Sequence, residues 1–335
     1  MELRQTAGFV PVALAIAGNA FVTVIKFAAA LASGSSVMLS EAVHSTADTL
    51  NQVLLLIGLR RSLKKPDEEF EYGYGNERFF WALISACGVF FVGAGVTVYQ
   101  GVTALVHPEP IEFSSLIFIV LVVALLVETY TFYRAALELR THTPDVSWRE
   151  RVRHADPATL AVYLEDAVAV LGVLIAAVAI ALSYITGSST WDAWGSIAIG
   201  ALLAVTAIVL IVKNRAYLVG RVMPEEMQRA VRAIIAADPA VEKIVDFKSA
   251  TMGFGVYRIK FELELNGSAL LQSTYRDAAL RAEYEEVNDD FEAFKKFCVD
   301  YADRIPRLIG RKVDEWEAVI KKRYPGVRHI DIEVN

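Results

Sequence analysis

Six apolar runs, each near or above the ~20 residues that cross a bilayer as a helix, constrain this 335-residue chain more than any other feature. They lie at roughly 9–32, 36–60, 79–106, 114–138, 158–184 and 192–212. With 55% hydrophobic residues and a mean hydropathy of +0.39, the chain is expected to be a polytopic membrane protein with a soluble part. The first run holds Pro11, Asn19 and Lys26 and has no small-residue cleavage site, so it reads as a retained span. A net charge of −6 gives no case for nucleic acid as a partner. Cys87 lies in a span and Cys298 in the tail, which excludes a disulfide framework and a thiolate metal cluster.

Charge between the runs alternates. Arg60, Arg61, Lys64, Lys65 and Arg78 fill one loop, Arg140, Arg149, Arg151 and Arg153 another, and Lys213, Arg215 and Arg221 follow the sixth run. The other three connections carry no Lys or Arg. By the positive-inside rule both termini are expected in the cytoplasm, in a prokaryotic inner or plasma membrane.

The second run is unusual, because its first half carries Glu41, His44 and Asp48 where lipid would be. Four residues of helix turn about 400° and rise about 6 Å, so His44 and Asp48 share one face, with Glu41 and Gln52 extending the stripe. An imidazole and a carboxylate stacked in this way can grip one divalent cation, and ionisable groups inside a span point first to function. Depths counted from the basic ends agree: about 18 Å for Asp48, about 12 Å for Asp166 on the fifth span and about 15 Å for Asn19 on the first. Three spans thus bring polar groups to one level near mid-membrane.

The division expected is a six-helix membrane domain over 1–215 and a cytoplasmic α/β domain over 216–335. In the tail, Pro224 to Ala237 reads as an amphipathic helix, and Val241–Ala250 and Gly255–Leu265 as strands. A helix from about Tyr301 to Arg323 and a last strand, Val327–Val334, complete a small open-faced, ferredoxin-like α/β sandwich. Residues 267–300 read as an acidic, helical, solvated insert.

Gly34-Ser35-Ser36 before the His44-x-x-x-Asp48 span, Tyr72-Gly-Tyr74-Gly before the third span, Asn19, Lys26, and Gly172 after Asp166 together resemble the cation diffusion facilitator family. The resemblance covers nearly the whole chain except the acidic insert. It implies a homodimeric exporter of divalent metals, mostly zinc, in exchange for protons, and it assigns His44, Asp48 and Asp166 to the transport site. Three departures stand out. Val162 occupies the position where the family commonly presents a His or Asp, and the Leu-Glu-Asp form of one branch leaves Glu165, Asn19 or water as the fourth ligand. The loop before the third span has Asp67, Glu68, Glu69 and Glu71 but no His, so a further metal site is not expected there. His329 and Asp331 match a metal pair in the tail, while Lys260 stands where a histidine partner would be.

The donor set suits Zn2+, and also Mn, Fe(II), Co or Ni. Metal binds the deprotonated ligands, so protons compete with it, and His44 is the natural proton carrier. Glu128 is read as a second proton site or a buried hydrogen-bonding group, and Glu41 as part of the outer mouth. Lys26 is expected to snorkel from near the outer end of its span. His107, His142 and His154 read as surface histidines. Gly88, Gly93 and Gly95 would permit close helix packing, within the chain or across a dimer. The expected function is a proton-coupled divalent-cation exporter for zinc, with divalent metal ions, protons, the lipid bilayer and a second copy of the chain as partners. The alternatives are a Mn, Fe, Co or Ni carrier of the same fold, or a non-transporting membrane metal sensor or scaffold. An enzyme is not expected, since no nucleophile–base pair or nucleotide loop occurs.

Overall fold

The computed structural model describes residues 9–108, 115–141, 157–272 and 277–335. The chain divides into two compact units, Met1–Val219 and Gly220–Asn335.

Among the described residues the first unit has six long helices: α1 Phe9–Ser33, α2 Ser36–Ser62, α3 Glu77–Val106, α4 Ser115–Thr141, α5 Pro157–Thr186 and α6 Thr190–Val219. Among the described residues four stretches are by length and composition apolar enough to cross a membrane: all of α3 and α6, Ile117–Leu137 in α4 and Leu160–Thr186 in α5. The unit keeps an apolar core, with Val37, Ile117, Ile180 and Leu203 buried, but its outer surface differs from that of a protein folded in water. Phe21, Leu31, Phe91 and Val205 are exposed, while Lys26, Glu41, His44 and Asn51 are buried. Lipid accepts the first group and rejects the second, so the polar residues turn inward. This is an integral membrane unit.

Between α1 and α2, Gly34 adopts φ +67°, which ends one helix and lets Ser35 cap the next. In α3 the backbone widens to a π-helix over Val89–Ala94. Packing between α3 and α6 depends on Gly101 and Gly200. A Cβ at Gly101 would lie 2.7 Å from Ile197 Cγ1, and one at Gly200 would lie 2.6 Å from Val98 Cγ2. The glycines expected to allow close packing are placed as follows. Within the described chain Gly88 meets nothing within 4 Å, and Gly93 makes ordinary contact with Ala47.

The second unit begins with α7 Glu225–Ala236, β1 Val241–Gly253 and β2 Val256–Leu265. It continues through α8 Gly267–Gln272, α9 Asp277–Val287, α10 Phe291–Arg323 and β3 Val327–Val334. The sheet order is β1-β2-β3, with β1 antiparallel and β3 parallel to β2. Alternation along β2 buries Ile259, Phe261 and Leu263 against Val231 and Ile235 of α7 and Trp316 and Ile320 of α10. This is the α/β sandwich expected. Helix α10 starts ten residues earlier than expected, because the Asp290 side chain accepts from Glu292 N at 2.9 Å and caps it there. The described residues of the insert are mainly helical, and Arg304 of α10 donates to both oxygens of Glu283 in α9, at 2.9 and 3.0 Å.

Candidate metal centre

The start of α2 is fixed from α6. Asp192, 3% exposed, accepts from Ser35 Oγ (2.5 Å), Ser36 N (2.7 Å), Ser36 Oγ (2.6 Å) and Val37 N (3.2 Å). These amides are first-turn donors with no acceptor inside the helix. Reading along the sequence missed this residue, since an acid in the first turn of a helix has an ordinary local explanation.

Two turns further along α2, the imidazole of His44 is 1% exposed, and neither ring nitrogen has a hydrogen-bond partner among the described residues. Its Nε2 lies 3.5 Å from Asp48 Oδ2, the pairing that the helical repeat predicts. Buried polar atoms are rarely left unsatisfied, so an imidazole in this condition has a lone pair to offer.

Asp48 opens onto a cavity of about 970 Å³. Asn19 of α1, Gln52 of α2, Glu128 of α4, and Glu165 and Asp166 of α5 share its wall. The three groups expected at one depth therefore meet in one space. Val162 lines the same cavity and adds no donor. Glu165 is held from behind, where Asn51 Nδ2 donates to Glu165 Oε2 and Ser85 Oγ donates to Asn51 Oδ1. Asn51 is a second residue that reading along the chain missed, although it stands one turn from Asp48. Among the described residues no three His, Cys, Asp or Glu side chains gather closely enough to enclose one ion.

The expectation for Lys26 is overturned. It does not snorkel: it is 1% exposed, its ammonium 3.1 Å from Glu41 Oε2, 3.3 Å from Glu128 Oε1 and 2.8 Å from Ser45 Oγ. Two acids on other helices hold it inside, where reaching for the membrane surface would strand both. Glu41 is accordingly buried and does not face water at a mouth.

In the second unit Asp331 accepts from Arg258 Nε at 2.8 Å, and Lys260 pairs with Glu333 at 2.6 Å. Burial, with Arg258 and Arg328 nearby, pushes the His329 imidazole below its ordinary pKa. A metal between His329 and Asp331 would have to displace Arg258. In the loop before α3, Asp67 is occupied by Lys64 and Tyr74, whose hydrogen bonds hold its carboxyl below the usual range. His107 is exposed at the end of α3; His142 and His154 lie outside the described residues.

A family model, the cation efflux transmembrane domain, matches residues 12–219. The human proton-coupled zinc antiporter SLC30A9, mitochondrial, is 36% identical over 96% of this chain and 58% of its own length. The metal tolerance protein C4 of Arabidopsis thaliana is 34% identical over 95% of this chain and 71% of its own. The cation-efflux pump FieF of Shewanella oneidensis is 27% identical over 75% and 80%. The chain thus spans under two thirds of the human relative's length.

Proposed function

Because this chain belongs to the cation efflux family, we propose that it is a proton-coupled exporter of divalent metal cations, with zinc as its first substrate. The observation that carries this reading is the cavity onto which Asp48 and Asp166 open from two helices, with the unpartnered imidazole of His44 beside Asp48. In our reading His44, Asp48 and Asp166 are the core ligands. Glu165, steadied by Asn51, or Asn19 completes the shell, drawn inward as metal arrives.

Zinc takes imidazole nitrogen and carboxylate oxygen in a tetrahedron. The same lone pairs take protons, so loading metal expels protons and loading protons expels metal. Alternation between the two faces then turns a proton gradient into metal export. In our reading the basic loops orient both termini toward the cytoplasmic side of the membrane, and the working unit is a homodimer. The names of the human and plant relatives, a zinc antiporter and a metal tolerance protein, support the substrate class.

A second reading has its own support. Carboxylate-rich donors suit manganese and iron as well as zinc, and Val162 removes a nitrogen or oxygen donor from the cavity wall. A sensor or scaffold would draw on the same gap and on the absence, among the described residues, of a closed ligand cluster. Uptake into proteoliposomes under a pH gradient, with a panel of metals, separates the three. Export predicts uptake that Asp166→Ala abolishes for every metal; a sensor takes up none.

A further inference from the structure

Lys26 places a cation inside a ring of oxygens. Its ammonium donates to Ser45 Oγ, Glu41 Oε2 and Glu128 Oε1, at 2.8, 3.1 and 3.3 Å, so that α1 reaches acceptors on α2 and α4. The other oxygen of Glu41, Oε1, is buried with no hydrogen-bond partner among the described residues. It points at Gly172, where a Cβ would collide with it. With both carboxyls ionised, two carboxylates against one ammonium would leave one negative charge uncompensated in a medium that penalises charge. A divalent cation in the same place would leave none.

The position of the ring adds direction. The cavity runs from Leu137 and Val162, near the basic ends of α4 and α5, to Val22 and Ser45. Lys26 and Glu41 stand one helical turn beyond those two residues, on the side away from the basic loops. Glu128 belongs to both, lining the cavity and holding Lys26.

We propose that Glu41, Glu128 and Ser45 form a second, transit site for a divalent cation, occupied and plugged in this state by the ammonium of Lys26. The proposal rests on the export reading and adds a stop on its route between the cavity and the far face. A cation in the cavity competes with Lys26 for Glu128, and withdrawal of that carboxylate unplugs the ring.

Equilibrium binding of Mn2+, an ion suited to oxygen donors, tests this on the purified full chain. Lys26→Met should hold one more Mn2+ per chain than the wild type, and Lys26→Met with Glu41→Gln should lose the extra ion. Equal counts for Lys26→Met and wild type would overturn the second site while leaving the export reading intact. Extra binding by Lys26→Met, with neither Mn2+ nor Zn2+ held by the wild type, would support the site and defeat that reading.

Should Lys26→Met not fold, Glu41→Gln tests the plug without metal. In a background with Val22→Cys and both native cysteines replaced by Ser, an impermeant thiol reagent is applied from the face opposite the basic loops. Labelling about tenfold or more faster with Glu41→Gln is expected, because one partner of a buried ion pair has lost its charge. Equal rates would overturn the plug.

Discussion

Removing the Asp192 carboxylate should loosen the helix that carries His44 and Asp48. Its two backbone bonds, 2.7 Å from Ser36 N and 3.2 Å from Val37 N, satisfy donors that α2 cannot satisfy itself. A hydrogen bond to a charged group contributes about 1.5–3 kcal/mol, so the two amount to about 3–6 kcal/mol. The hydroxyls of Ser35 and Ser36 can rotate to other acceptors and add less. Asp192→Ala should therefore lower the unfolding free energy by about 3–5 kcal/mol, and Asp192→Asn, which keeps one carbonyl acceptor, by about half as much. The assay is reversible unfolding of the full chain in mixed micelles titrated with a denaturing detergent. Amide exchange at Ser36 and Val37 should rise in parallel. A loss below about 1 kcal/mol for Asp192→Ala would mean that water or another group caps α2 and would refute the reasoning.

Three further outcomes are expected. Asn51→Ala should weaken metal binding about 10–100-fold, as losses behind a ligand do, measured by calorimetry; an unchanged affinity would remove Glu165 from the ligand set. Gly200→Ala should cost about 1–3 kcal/mol by overpacking, because its Cβ would sit 2.6 Å from Val98 Cγ2 and 3.0 Å from Val98 N, and micelle unfolding reads it. In the second unit burial pushes the Asp238 carboxyl up, but bonds from Ala240 N, Trp316 Nε1 and Lys312 Nζ outweigh it and hold the pKa below the ordinary value. Its stabilisation is therefore present above the ordinary carboxyl pKa of about 3.9 and lost as pH falls through the lowered value. Exchange of the Trp316 indole proton should report that loss and should lose its acid dependence in Asp238→Asn.

Helices and depths were legible because they follow from properties internal to one segment. A run of apolar residues sets a span, and a rise of about 1.5 Å per residue sets a level. That is enough to bring Asn19, Asp48 and Asp166 to one cavity before any packing is known. Rotation of one helix against another is not internal to a segment. Lys26 could have snorkelled on its own helix; Glu41 and Glu128, 15 and 102 residues away, decide that it does not. Gly101 and Gly200 look no different from Gly88 in sequence, yet only the first two stand where backbones meet. The clamp from Asn51 to Glu165 spans 114 residues and likewise needs the fold to be seen. In the tail, β2 was readable from its alternation, whereas the early start of α10 depended on one capping contact at Asp290.

The central claim, one cation held by an imidazole and carboxylates from α2 and α5, is tested most directly by zinc X-ray absorption on the loaded full chain. The account predicts a first shell at about 2.0–2.2 Å containing one imidazole, whose outer-ring scattering disappears in His44→Ala, and an oxygen count that falls in Asp166→Ala. A shell unchanged by both substitutions, or one without imidazole in the wild type, would contradict it.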